Sequence, residues 1–354
     1  MPVQDVHVII NLVKPAALIG LGRILILANK PGESTFKSYT DLDSIKADYA
    51  DTTNAYKKAS AIFAQGSNRP DLIYIANYDP AADGDETPGY KLTEAITAYA
   101  EKDWEFLILA DAEQEDKVAA APAVEALGIK FLVVKIEDEA SRAAFKTYDR
   151  TIVFYHPVAD EHPDAALVGA CGSQTVGSIT WKFKTLLGIT PQDFTTAQVQ
   201  AIHGDGAIAY VTKAGIPQTS EGIVGSGEYI DVIHSKDWIK VNMEHSIQVA
   251  LSNAKKISFD NTGIGILEGQ VTNVLQQAFT NGIIATDADG QPIYTITAKT
   301  RDEVDGTDIA SRTYNGLSFS FELAGAIHQA TITGEISEGS SGSSSSGSGS
   351  TTTP

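Results

Sequence analysis

The sequence predicts an α/β protein: a mainly parallel sheet covered by helices, followed by a smaller α+β C-terminal domain, with extended N- and C-terminal strand arms. Between residues 72 and 170, apolar runs alternate with helical stretches, which is the pattern of parallel strands joined by crossover helices. The chain has 354 residues, of which 43% are hydrophobic and 20% charged. These values are typical of a folded protein with a sizeable core.

The N-terminal segment alternates in the manner of a β-strand. One side of the alternation consists of Val6, Val8, Ile10 and Leu12. Pro15 ends this strand, and Gly20 and Gly22 mark a bend before Ile24–Leu27, a continuous apolar run typical of a central strand. We therefore expect the first strand to be separated from the core.

The region that follows predicts regular α/β elements. Two helices cover the core first, at Thr40–Tyr49 and Thr53–Gln65. The strands expected next are Leu72–Ala76, Phe106–Ala110, Phe131–Ile136 and Ile152–Tyr155. The helices between them are expected at Lys91–Lys102, Glu113–Leu127 and Glu137–Tyr148. Gly128 fits a helix C-cap, a position where glycine is common.

The regular alternation of strands and helices ends near Pro191. Paired strands are expected at Ile208–Lys213 and Gly222–Ile230, long helices at Asp237–Ala254 and Gly265–Asn281, and final strands at Ile293–Ala298, Leu317–Leu323 and Ile327–Ile336. The organisation predicted from these patterns is an N-terminal linking arm (1–20), an α/β core (21–190), a small β-rich segment (191–230), an α+β C-terminal domain (231–323), a C-terminal linking strand (324–338) and a flexible Gly/Ser tail (339–354).

Charge and cysteine content exclude several classes of protein. The chain carries 26 basic and 45 acidic residues, a net charge of −19, which disfavours binding to nucleic acid or to an anionic membrane. The single cysteine, Cys171, excludes an internal disulfide framework. Residues 1–11 lack the basic start of a signal peptide, and the most apolar stretch, Ala16–Ala28, is too short and interrupted to cross a membrane.

Motifs for catalysis and cofactor binding are missing. Gly20 and Gly22 form a lone GxG, and neither a GxxxxGK[ST] phosphate loop nor a GxSxG nucleophile elbow occurs. We read the His156–His162 cluster as a solvated loop between prolines, and Cys171 as a packing residue among small neighbours. The acidic loops lack the spacing of an EF-hand. The sequence thus predicts no enzyme activity, no cofactor and no metal.

Several sequence segments, in order along nearly the whole chain, resemble the contractile-tail sheath proteins of bacteriophages. The branch of that family is known only as a tail-associated domain of unknown function. The segments are Ala55–Pro70, Gly177–Leu186 with Gly188–Pro191, Asp237–Ile239, Lys255–Ile264, Asn281–Ile284 and Leu317–Phe321 with Ile327 and His328. None of these segments contains a catalytic motif. The resemblance therefore rests on collinearity and stops near Ile336.

The resemblance implies a structural subunit of a virion tail. Sheath proteins form stacked six-membered rings around a tail tube, and contraction drives the tube through a bacterial envelope for genome ejection. The implied partners are other copies of the chain, the tail tube protein, and the baseplate and tail terminator proteins, with assembly in the host cytoplasm. The alternatives left open are an α/β enzyme with a site at the carboxyl ends of the sheet and another virion tail component.

The resemblance also implies that terminal arms add strands to neighbouring subunits. The residues expected to pair between subunits are Val6, Val8, Ile10, Leu12, Ile327, His328, Ala330 and Ile332. An unpaired strand edge gains hydrogen bonds by pairing with another chain. Hinges are expected at Pro15, Gly20, Gly22 and Gly325, which would let the core rotate while the strands stay paired.

Overall fold

The computed structural model describes residues 21–82 and 89–329. The strands are β1 (Ile24–Asn29), β2 (Phe36–Tyr39), β3 (Ile73–Tyr78), β4 (Phe106–Leu109), β5 (Phe131–Ile136), β6 (Thr151–Tyr155), β7 (Ala207–Ile208), β8 (Tyr210–Lys213), β9 (Ile216–Thr219), β10 (Tyr294–Ala298) and β11 (Leu317–Phe321). The helices are α1 (Leu42–Asp48), α2 (Asn54–Phe63), α3 (Leu92–Ala98), α4 (Gln114–Glu125), α5 (Pro163–Cys171), α6 (Thr196–Gly204), α7 (Ile230–Asn253), α8 (Asn261–Thr280) and α9 (Gly306–Ser311).

The predicted mainly parallel sheet is confirmed. It has seven strands in the order β2-β3-β1-β4-β5-β6-β7, all parallel to their neighbours except the edge strand β2, which is antiparallel to β3. Strand β1 lies at the centre, as its apolar run predicts, and Ile24–Leu27 are buried. A strand covered on both faces has no polar side, which explains the unbroken apolar sequence.

Helices bury the two faces of this sheet in separate clusters. Ile24 and Ile26 of β1 pack with residues of α2 and α5, whereas Leu25 and Leu27 pack with residues of α3 and α4. Successive side chains of a strand point to opposite faces, so one strand contributes to both clusters. The N-cap of α2 is Thr53, whose hydroxyl accepts a bond from Tyr56 N, and this helix begins where the sequence predicts.

Two predictions between residues 137 and 230 are wrong. The helix predicted at Glu137–Tyr148 is a single 3₁₀ turn at Arg142–Phe145. The carboxylate of Asp138 binds the amide and hydroxyl of Ser141, which is the contact of a helix N-cap, but the turn that follows does not continue as an α-helix. The strand predicted at Gly222–Ile230 is a tight loop, closed by a 2.9 Å bond from Val224 N to Glu228 O.

The real partner of β8 is β9, which follows it directly. Ala214 and Gly215 both have positive φ, 50° and 79°, and this is the conformation of the two-residue turns that suit β-hairpins. Just before this hairpin, the two residues of β7 extend the parallel sheet to residue 208. The core sheet therefore reaches beyond the predicted boundary at residue 190.

The C-terminal part packs α7 and α8 together against the antiparallel pair β10 and β11. Helix α7 begins at Ile230 rather than at Asp237, because Ile230 and Ile233 are buried in a core cluster of the main sheet. Farther along the same helix, Ile239 and Met243 belong to the C-terminal cluster. Helix α7 thus joins the two parts of the molecule. Among the described residues, no helix has the length and hydropathy needed to cross a membrane.

Candidate subunit-linking site

Only part of the predicted linking site lies among the described residues. The positions outside them are Val6, Val8, Ile10, Leu12, Pro15, Gly20, Ala330 and Ile332. The described positions are Gly22, at the root of the N-terminal segment, and Gly325, Ile327 and His328 near the C-terminus. The sequence predicts a strand from Ile327 onward. In its described portion, up to residue 329, this segment forms no strand within the chain.

Gly22 is held firmly by its neighbours. Its φ is 90°, and a Cβ placed there would lie 2.6 Å from the carbonyl oxygen of Gly172. Its amide donates to the carboxylate of Glu105, which is fully buried. Only glycine fits such a backbone without strain or collision. A larger residue at position 22 would therefore collide with the backbone of Gly172.

Glu105 also contacts helix α7. Its Oε1 lies 3.1 Å from Nε2 of the buried His234. Burial opposes a charged imidazole, but the carboxylates of Glu105 and Asp237 outweigh burial and raise the pKa of His234. One carboxylate thus connects the root of the N-terminal segment to the helix that joins the two parts of the chain.

A second buried pair fastens α7 one turn later. Arg150, just before β6, binds Asp237 through both guanidinium nitrogens, with Nη2 3.0 Å from Oδ1. The arginine side chain is 15% exposed and that of the aspartate 3%. Burial raises the pKa of Asp237 despite the opposing effect of Arg150. Glu105, Arg150 and His234 could not be identified from the sequence, because the paired residues lie far apart in the chain.

The C-terminal segment crosses from β11 back to the core. It starts at Ala324, whose amide donates to Ile283 O at 2.9 Å. Gly325, with a φ of 56°, and Ala326 then border a hollow of about 200 Å³. At its far end, His328 Nε2 lies 2.8 Å from the Thr180 hydroxyl oxygen. We call residues 324–329 the strap, because they are attached at both ends.

The pair β10–β11 has two open edges. In the described part of the chain, neither strand pairs with another strand on its outer side. Ile296 and Phe319 on its packed face remain partly buried, against α8 and its neighbours. Two-stranded sheets are only marginally stable alone, and additional strands would complete both the hydrogen bonding and the apolar cover.

The hairpin β8–β9 differs because both its edges are occupied. On the side of β8, Gln192 N donates to Tyr210 O at 2.8 Å and residue 192 forms a parallel bridge with Val211. On the side of β9, Thr219 exchanges backbone bonds with residues 183 and 184, at 3.2 and 2.9 Å. This hairpin therefore offers little room for a strand from another chain.

A polar cavity of about 400 Å³ lies at the carboxyl ends of β1, β4 and β5, the position expected for the alternative enzyme hypothesis. It contains the buried ion pair of Lys58 and Asp164. Burial, together with the charge of Lys58, lowers the pKa of His162 to about 4. This imidazole is therefore neutral at pH 7. Among the described residues, no cluster of three or more His, Cys, Asp or Glu side chains is placed to hold a metal ion.

Two further predictions concern this region. Cys171 is buried, as predicted from its small neighbours, and burial raises the pKa of its thiol to about 12. The interpretation of the His156 cluster as a solvated loop is wrong for His156 itself. Its side chain is fully buried, and Nε2 lies 2.7 Å from the carboxylate of Glu161. Glu161 also accepts a 2.7 Å bond from Thr190 N, so this cluster anchors the loop that follows α5.

The comparisons with known proteins agree on one fold. Residues 230–336 match the family model described as E217 tail sheath protein gp31-like, C-terminal domain. The resemblance to tail sheath proteins is confirmed. No curated protein matches this chain in sequence.

Solved structures of sheath proteins share the architecture of nearly the whole chain. The helical sheath of the anti-feeding prophage in its contracted state superposes with a TM-score of 0.67 at 12% identity, over 95% of this chain and 99% of that one. An extracellular contractile injection system, the PVC sheath complex in its contracted state, gives 0.61 at 13% identity over 94% and 99%. The sheath tail protein of Desulfitobacterium hafniense gives 0.53 at 12% identity over 84% and 97%. The chain therefore has the sheath-protein fold.

Proposed function

We propose that this chain is the structural subunit of a contractile sheath in a phage or phage-like tail. Copies assemble as stacked hexameric rings around a tail tube, and contraction of the stack drives the tube through a bacterial envelope. The partners are other copies of the chain, the tube, the baseplate and the tail terminator. The sheath-protein fold and the match over residues 230–336 support this role.

The observation that carries the proposal is the contrast between the two small sheets. In the part of the chain that the structure describes, the edges of β8–β9 are occupied by the chain's own backbone, whereas the outer edges of β10–β11 pair with no other strand. Natural proteins usually cover or shorten strand edges to avoid unwanted pairing. We infer that β10–β11 receives the terminal arms of neighbouring copies.

The terminal segments have suitable sequences for this pairing. Val6, Val8, Ile10 and Leu12 share one side of the N-terminal segment, and Ile9 makes the other side partly apolar. The first side would extend the packed face that contains Ile296 and Phe319. A strand of this length forms about five backbone hydrogen bonds at about 1 kcal/mol net each, which gives moderate affinity. Each copy both donates and receives arms, so many such joints act together in a lattice.

The role is mechanical rather than catalytic. The extended lattice stores energy during assembly and releases it when contacts between cores improve, with bending of the arms at Pro15 and Gly20. Helix α7 suits this role because buried charged pairs fix it to the sheet and its other end is part of the C-terminal cluster. A pull on the arms of β10–β11 would therefore reach the core without loss of internal structure.

The test is deletion of Met1–Lys14. We expect a folded monomer that forms no tubes or ring stacks, because the arm is missing while residues 21–329 keep their contacts. Negative-stain electron microscopy detects assembly, and circular dichroism checks folding. The matched control deletes Gly339–Pro354, a Gly/Ser-rich segment with little apolar surface to bury, and should assemble as the full chain does. Normal tubes from the first deletion would contradict the proposal.

A further inference from the structure

His328 lies in a built pocket on the core, although the sequence suggested pairing with another subunit. Its side chain is 12% exposed. The ring meets Tyr229 edge-on, with centroids 4.8 Å apart at 86°, and Phe183 at 6.0 Å and 84°. Edge-to-face pairs of this kind stabilise beyond the apolar area they bury. The residue before it, Ile327, is 84% exposed and contributes little to this contact.

Polar contacts define the orientation of the ring. The Thr180 hydroxyl oxygen accepts a 3.3 Å bond from Lys182 N, so its own proton is available to Nε2 of His328 at 2.8 Å. Nδ1 lies 4.0 Å from the Glu221 carboxylate, beyond hydrogen-bond distance, so the contact with Thr180 is the polar contact that orients the ring.

The backbone of the pocket is unusual as well. Phe183, one of the two ring partners, has a φ of 65°, a conformation that a bulky residue adopts at an energetic cost. It is held there by its amide, which donates to Thr219 O at 3.2 Å. Phe183 as a whole is 44% exposed. The strained residue therefore places an apolar ring at the surface, where the imidazole covers part of it.

The strap is attached to the rest of the chain at both ends. Ala324 binds Ile283 at one end and His328 fills its pocket at the other, while Gly325 and Ala326 border the hollow between them. A rotation at Gly325 would require His328 to leave the core. We propose that His328 is the positioning residue that fixes where the C-terminal linking segment leaves its own subunit, so that the pivot toward a neighbouring copy lies beyond residue 328.

This inference rests on the proposed linking role of the segment, but its first test needs no assembly. A nitroxide label on Ile327→Cys reports motion of the strap in the dilute, unassembled full chain, because the label occupies an exposed position. The native Cys171 is buried with a thiol pKa raised to about 12, so it does not compete for the label. The variants compared are His328→Ala and His328→Gln, whose amide keeps a polar contact to Thr180 without the ring.

We expect His328→Ala to shorten the rotational correlation time of the label about threefold or more, as for an untethered segment. In His328→Gln the rotational correlation time of the label should lie between the values for His328→Ala and for the parent chain. A label on Ile216→Cys, at the β8–β9 hairpin, is the control and should not change, since Ile216 is exposed and belongs to a different element. An equally restricted or equally mobile label at 327 in the parent and in His328→Ala would overturn the inference.

The second test compares assemblies. If His328 fixes the exit of the segment, His328→Ala should give few or irregular tubes in electron micrographs, whereas Ile216→Ala, on the β8–β9 hairpin, should form tubes as the unmodified chain does. Regular tubes from His328→Ala, together with a freed label, would show a docked histidine without the positioning role and would overturn the proposal. Failure of the unmodified chain to assemble would count against the proposed function, and the label result would stand independently.

Discussion

Asp237→Asn tests how strongly helix α7 is fastened to the sheet. The substitution removes the charge from a carboxylate that is 3% exposed and binds Arg150 through both oxygens. Two charge-assisted hydrogen bonds are weakened, and the guanidinium loses its counter-charge in a largely buried position. Removing one partner of a buried ion pair usually costs about 3–5 kcal/mol.

Two features of the site place the expected cost at the lower end of that range. Arg150 is still 15% exposed, so water solvates part of its charge, and its guanidinium lies 5.3 Å from the centre of the Phe131 ring. Burial also raises the pKa of Asp237, so the neutral asparagine avoids a desolvation cost that the carboxylate bears. We expect the free energy of unfolding to fall by about 3 kcal/mol.

Urea unfolding of the dilute full chain at pH 7 measures this difference, with tryptophan fluorescence and far-ultraviolet circular dichroism as two probes whose transitions should coincide. The matched control is Asp51→Asn, the same substitution in an exposed pair in which Lys46 and Asp51 are 54% and 52% exposed. Exposed pairs contribute little to stability. If Asp237→Asn shifted the transition no more than Asp51→Asn, the proposed attachment of α7 would be wrong.

Two other predictions concern the polar cavity. Asp164→Leu should lower the free energy of unfolding by about 3–5 kcal/mol because it leaves Lys58 buried without its partner, whereas the double variant with Lys58→Met should recover most of the loss; urea unfolding that finds the double variant no more stable than the single one would refute this reasoning. The lowered pKa of His162 means that the unfolded chain binds more protons between pH 6.5 and 4, so stability should fall as the pH falls through this window, by at most about 3 kcal/mol. His162→Gln should remove this part of the pH dependence, as measured by thermal or urea unfolding at several pH values, and an unchanged slope would contradict it.

Elements with a strong local pattern could be predicted from the sequence. The run at Phe131–Ile136 appears as β5 with the predicted bounds, because a strand buried on both faces needs an uninterrupted apolar sequence. Strand β2 was not predicted, and β7 was predicted only as the start of a strand at Ile208–Lys213, for the opposite reason. Strand β2 contains Lys37 and Ser38, and β7 has two residues; both are strands because a neighbour pairs with them. Such elements depend on tertiary context more than on propensity.

The attachment of α7 could not be predicted for a related reason. Arg150 and Asp237 lie 87 residues apart, and Gly22 and Glu105 lie 83 apart. A single charged residue beside an apolar run has no periodicity or spacing that identifies its partner. His328 was recognised as a linking residue, but its position on its own core depends on Thr180, Phe183 and Tyr229, which come from two distant segments.

A helical reconstruction of the assembled full chain by electron cryomicroscopy tests the central claim most directly. We expect density for residues 6–12 of one copy along an edge of β10–β11 in another copy, with His328 in the pocket on its own core. Tubes in which both terminal segments return to the sheets of their own chain, or a chain that stays monomeric at high concentration, would contradict it.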